Sequence, residues 1–118
     1  MLDCITMKRI EIIIPHRALK DVHEVLRDLN TGGMSYYKIE GGGKTKADPI
    51  TIGRGTAKVQ PDYVPRTKVE VVVKDEQMEE IISKVTDRLG GELGGKIFVV
   101  DVPIAVDIMT KKRGEAAI

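Results

Sequence analysis

Apolar residues recur along this chain with two different periods. Residues 8–14, KRIEIII, form a short β-branched run that predicts a strand. Pro15 ends that strand by removing a backbone donor. Leu19, Val22, Val25, Leu26 and Leu29 then fall on one face of a helix, with polar residues between them. NTGG, residues 30–33, is a helix stop, and MSYYKIE, residues 34–40, alternates loosely as a second strand. From Gly41 to about Arg66 no period survives. TKVEVVV, residues 67–73, predicts the third strand, and Asp75 is placed to cap a second helix through its carboxylate. Met78, Ile81, Ile82, Val85 and Leu89 give that helix its buried face, and Gly90 and Gly91 stop it. KIFVVDV, residues 96–102, predicts the fourth strand; AVDIM, residues 105–109, predicts a short edge strand before the tail TKKRGEAAI.

The order is strand-helix-strand, long loop, strand-helix-strand. It predicts an α+β fold of ferredoxin-like βαββαβ plan, an antiparallel sheet with both helices on one face. The strands carry apolar residues on both sides, so the second sheet face needs a cover. A partner subunit is the simplest one. At 118 residues the chain is one domain.

Charge and composition narrow the function classes. A formal net charge of +1 is too balanced for a general nucleic-acid or membrane binder. Aromatic residues are 3% of the chain, with no Trp, too few for a base-stacking platform. The lone cysteine, Cys4, allows no internal disulfide and points to a reducing compartment. The start MLDCIT lacks the basic and apolar regions of a secretory signal, and no apolar run is long enough to span a bilayer. The expected setting is cytoplasmic, without direct membrane insertion.

Candidate chemistry sits in two glycine-rich places. GGELGGK, residues 90–96, sets four glycines ahead of Lys96. Gly94, Gly95 and Lys96 read either as a phosphate-binding loop of backbone N–H groups and one ammonium, or as a flexible turn, which spacing alone favours. Gly41, Gly42 and Gly43 read as close backbone approach to a ligand or as a hinge. The loop they open is longer than is common without a function. It is locally basic: Lys44, Lys46, Arg54, Lys58 and Arg66 outnumber Asp48 and Asp62. Its one aromatic is Tyr63, so a protein target is preferred over nucleic acid. His16 and His23 have no Cys or carboxylate at metal-ligand spacing and read as surface histidines. No nucleophile–base arrangement is present, and Asp101 and Asp107 do not make an acid–base pair.

These pieces, in this order, resemble the PII nitrogen-regulatory signal-transduction family. MKRIEIII is similar to its first strand, LKDVHEVL to its first helix, and GGMSYYKIEGGG to its second strand and the opening of its long T-loop. KVEVVVKDE is similar to its third strand and second helix start, GGKIFVVDV to its B-loop and fourth strand, and RGEAAI to its C-terminus. The resemblance implies one domain over residues 1–118, with an extension at 1–6, a T-loop at 43–66, a B-loop at 90–96 and a tail at 110–118. It implies a non-catalytic homotrimer that senses adenine nucleotides in clefts between subunits. The T-loop would report to a protein target, an ammonium transporter or a metabolic enzyme. The implied nucleotide-binding residues are Gly41, Gly43, Lys44, Thr45, Gly94, Gly95, Lys96, Lys111 and Arg113. Thr45 and Arg66 would bind a second effector, and Lys46, Arg54 and Lys58 would dock the target.

Several positions depart from the family pattern. Gly94 stands where members carry the Asp of Gly-Asp-Gly-Lys. Asp107 and Met109 stand where they carry Arg-x-Arg, which clamps the outer phosphates, so two bidentate donors are missing. Lys111, Lys112 and Arg113 are candidates to replace that charge. Thr45 stands at the Gln that helps hold magnesium and 2-oxoglutarate, and Arg66 at the lysine that pairs with 2-oxoglutarate. The tyrosine uridylylated in some members is matched by Val59, so that modification is not expected. ADP or AMP is therefore expected over ATP, with magnesium left open. The alternatives are a divergent PII-like ADP/AMP sensor answering bicarbonate in inorganic-carbon metabolism, and a weak nucleotide-hydrolysing enzyme with Asp107 as base. A metal-tolerance trimer of similar fold would require paired His or Cys ligands, and the sequence has none.

Overall fold

The computed structural model describes residues 5–42, 50–52, 57–59, 62–91 and 93–118. Strand β1 (Met7–Ile14) leads through a 3-10 turn (His16–Ala18) into helix α1 (Leu19–Asp28). Strand β2 (Met34–Gly41), the short strands β3 (Ile50–Ile52) and β4 (Ala57–Val59), and the long β5 (Val64–Lys74) follow. Helix α2 (Asp75–Leu89), strand β6 (Lys96–Asp101) and a last 3-10 turn (Gly114–Ala117) complete the chain. The main sheet has the order β2-β5-β1-β6, every pairing antiparallel, so the expected α+β ferredoxin-like plan is what forms. No helix of the described residues is long and apolar enough to cross a membrane.

The core lies between the sheet and the two helices. Ile10, Ile12 and Ile14 pair with Val71, Val69 and Thr67, so one pleat face of the two central strands is continuous. Val22, Val25 and Leu26 from α1 and Ile81, Val85 and Leu89 from α2 bury against it. Thr67 is the exception, a fully buried polar side chain; its Oγ1 lies 2.7 Å from His16 Nδ1. His16 is therefore more than the surface histidine expected of it. Helix α1 ends as expected at Asn30, whose φ of 55° gives the left-handed stop that asparagine tolerates.

Three expectations are corrected. Asp75 does not cap α2: it is the first helical residue, and Lys74 occupies the cap position, its N–H donating to Gln77 Oε1 at 3.2 Å. The Asp75 carboxylate instead takes the Lys8 ammonium at 2.9 Å, which also reaches Asp101 at 3.0 Å. Residues 105–109 form no strand. Asp107 Oδ1 accepts the Met109 and Thr110 N–H groups, both at 2.9 Å, so the chain turns there and leaves one bridge, Val106 to Arg113. The stretch from 41 to 66 is not without order. It gives its ends to β2 and β5, and β3 pairs with β4 inside it.

The second sheet face is only partly apolar. The register puts Arg9, Glu11 and Ile13 beside Lys96, Phe98 and Val100 on that face, with Lys68 and Glu70 on the other flank. Arg9 Nε donates to Glu11 at 3.1 Å, Lys68 lies 3.5 Å from Glu11, and Tyr37 donates to Glu70 at 3.1 Å. A charged network thus occupies the middle of a face on which Phe98 is half-exposed.

Candidate functional site

The glycine run separates into distinct jobs. Gly90 closes α2, its N–H donating to the Thr86 carbonyl at 2.8 Å; a Cβ there would lie 2.6 Å from that oxygen. Gly91 has a φ of +91°, a left-handed value that favours glycine. A Cβ on Gly95 would stand 2.5 Å from the Ile13 carbonyl oxygen, because β6 enters the sheet beside β1 there. The chain itself therefore accounts for these three. Gly94 differs: a Cβ there would meet nothing within 4 Å, so its backbone faces open space. Beside it Lys96 is exposed and makes no ion pair among the described residues. Below these residues a cavity of about 180 Å³ runs in over Leu89, Leu93 and Ile97 toward Ile12 and Ile14.

The sheet brings the loop root to the same end. Lys96 is opposite Ile13, Lys38 is opposite Thr67, and Ile39 is opposite Arg66. Gly41 closes the ladder against Val64. Just beyond it the Tyr63 ring lies against Gly42, where a Cβ would come within 3.2 Å of two ring carbons. Arg66 donates to the carbonyl of its neighbour Pro65 at 2.9 Å. Gly43, Lys44, Thr45, Lys46, Arg54 and Cys4 lie outside the described residues. Lys58 is in β4, paired with Thr51.

The basic tail is anchored at the other end. β6 runs from Lys96 to Asp101, about 16 Å of rise. Beyond it the Val102 N–H donates to the Met7 carbonyl, and the final residue Ile118 lies 3.8 Å from where a Gly32 Cβ would be. Lys111, with a φ of 64°, and Arg113 are exposed in the turn that Asp107 holds. Both anchors of Lys111 and Arg113 are thus at the end of the sheet away from Gly94 and Lys96. Asp107 has its pKa held below the ordinary carboxylate value, chiefly by the Thr110 backbone N–H and also by that of Met109, so its oxygen is committed to the turn as an anion.

Residues 7–112 match the family described as Nitrogen regulatory protein P-II. The chain belongs to that family. The P-II protein of Pasteurella multocida is 39% identical over 114 residues, 95% of this chain and 100% of that protein. That of Haemophilus influenzae is 38% identical over the same shares. Among solved structures, B. subtilis GlnK superposes with a TM-score of 0.75 at 23% identity, covering 96% of this chain and 99% of that one. Arabidopsis thaliana PII bound to citrate superposes with a TM-score of 0.72 at 24% identity, covering 95% and 92%. The P-II family is one of signal-transduction regulators, so the chain is a regulator of that kind. Sequence reasoning missed the His16–Thr67 pair, since residues 51 apart in sequence meet only through the β1–β5 register.

Proposed function

We propose that this P-II protein is a non-catalytic cytoplasmic sensor that binds an adenine nucleotide between subunits of a homotrimer and reports to a protein target through residues 43–66. The observation that carries the reading is the exposed Lys96, without an ion pair among the described residues, beside the open backbone of Gly94, at the sheet end where the long loop is rooted. Those groups suit an anionic ligand approached by backbone and one ammonium. Lys111 and Arg113, anchored at the far end, suit completion of the site by a neighbouring copy. The half-exposed Phe98 and the charged network of the second sheet face give such a copy something to cover. Of the related structures, one is a B. subtilis GlnK–ATP complex, with a TM-score of 0.75 at 20% identity.

A nucleotide with fewer charges, ADP or AMP, is the preferred ligand, because Asp107 and Met109 supply no phosphate clamp. Bicarbonate is the second effector consistent with that preference, and 2-oxoglutarate with magnesium is the competing one. Hydrolysis is not favoured, since the Oδ1 of Asp107, the one candidate base, accepts two backbone N–H groups. The test is calorimetric titration of ATP, ADP and AMP, with and without magnesium and 2-oxoglutarate or bicarbonate. Tighter ADP or AMP with no response to 2-oxoglutarate is expected. Tight ATP strengthened by magnesium and 2-oxoglutarate would overturn the preference, and no nucleotide binding would overturn the sensing role.

A further inference from the structure

Helix α1 is divided by charge. Asp21 and Glu24 face α2, where Arg88 Nη2 takes both. Lys20, His23 and Arg27 lie on another stripe, continued back by His16 in the preceding turn; all four are exposed and make no ion pair among the described residues. This stripe borders β2, an edge strand of the sheet. Two concavities that share His23, Gly33 and Met34 join there into one groove, of about 630 Å³ at the Tyr36 end and 250 Å³ at the Arg27 end. The Tyr36 ring is half-exposed, with its centroid 6.4 Å from that of His16.

We propose that this groove is a second docking surface, which takes an extended acidic segment of a partner protein with carboxylates at alternate positions. The spacing supports that shape. Successive members of the stripe, two cations and two histidines, stand about 4.5–6 Å apart along the helix axis, and same-side residues of an extended peptide repeat at about 6.6 Å. From His16 to Arg27 the stripe runs about 16 Å, the span of a six-residue extended segment. Met34 and Tyr36 give the groove an apolar floor for the residues between the carboxylates. The acids of α1 lie on the α2 side: Arg88 holds Asp21 and Glu24, and Asp28 lines a concavity with Lys84 and Arg88. The described lining residues of this surface all precede residue 43, and the proposal does not depend on the nucleotide reading.

The probe is a short fluorescent peptide of alternating Asp and Val, titrated into the full-length protein and followed by anisotropy. Its Asn/Val counterpart and a short DNA duplex are the comparisons. The proposal expects saturable binding of the acidic peptide alone, weakening with salt. Lys20→Glu with Arg27→Glu should lower affinity at least about tenfold, while Lys84→Glu on α2 changes it less than about twofold. Amide shifts in the unmodified protein should concentrate in α1 and β2, a readout that needs no variant. No saturable binding, equal binding of the Asn/Val peptide, preference for the duplex, or shifts centred elsewhere would each overturn it.

Discussion

Gly95 and Ile13 are in backbone contact: a Cβ on Gly95 would stand 2.5 Å from the Ile13 carbonyl oxygen. No side-chain rotation relieves that contact. Gly95→Ala must therefore push β6 away from β1, at about 1–3 kcal/mol, the range for overpacking. Gly94→Ala meets open space and should stay within about 0.5 kcal/mol of the parent. Denaturant unfolding of the two variants checks this, and equal stabilities would contradict the division of labour along the glycine run.

The buried Thr67 hydroxyl depends on an exposed histidine. His16→Leu keeps the cover and removes the partner, leaving the hydroxyl unsatisfied at about 1–3 kcal/mol. Thr67→Val removes the buried polar group itself and leaves His16 to water, so it should cost less, although Thr67 is the buried member of the pair. Equilibrium unfolding ranks them, and the reverse order would show that the hydroxyl has another partner.

The tail turn should respond to acid. Asp107 has a folded-state pKa below its unfolded value, chiefly through the Thr110 N–H. A depressed carboxylate contributes stability that is present above its unfolded pKa and lost as pH falls through the folded one. The turn therefore holds at neutral pH and loosens only below the ordinary aspartate range. In an NMR titration the Met109 and Thr110 amide shifts should move with a midpoint lower than that of an exposed aspartate. A midpoint at or above that value would contradict the two hydrogen bonds that Asp107 Oδ1 accepts.

The strands and helices were legible where one period ran long enough. Val22, Val25 and Leu26, and Ile81, Val85 and Leu89, lie on the faces that their spacing predicts. What failed depended on single side chains with two possible partners. Asp75 has the chemistry of a cap, but Lys8 is near enough to take its carboxylate. The stretch AVDIM has strand composition, yet Asp107 offers its own oxygen to the backbone two and three residues on, and this competes with pairing. The role of Gly95 needed the β1–β6 register, which no local pattern carries. The glycine–lysine loop was recognisable as a candidate, but its separation from Lys111 and Arg113 along the sheet was not.

Under the proposed function, Lys96 of one copy and the tail cations of another share one nucleotide site. Lys96→Ala and the double variant Lys111→Ala, Arg113→Ala should each bind ADP at least about tenfold more weakly than the parent. Unfolded together and refolded as a random one-to-one mixture, they should regain parent-like affinity in about a quarter of the sites, because one residue set then comes from each variant. Calorimetric stoichiometry of that mixture is the measurement. A recovered quarter supports a site built across copies; no recovery, or a tail variant that binds like the parent, would contradict it.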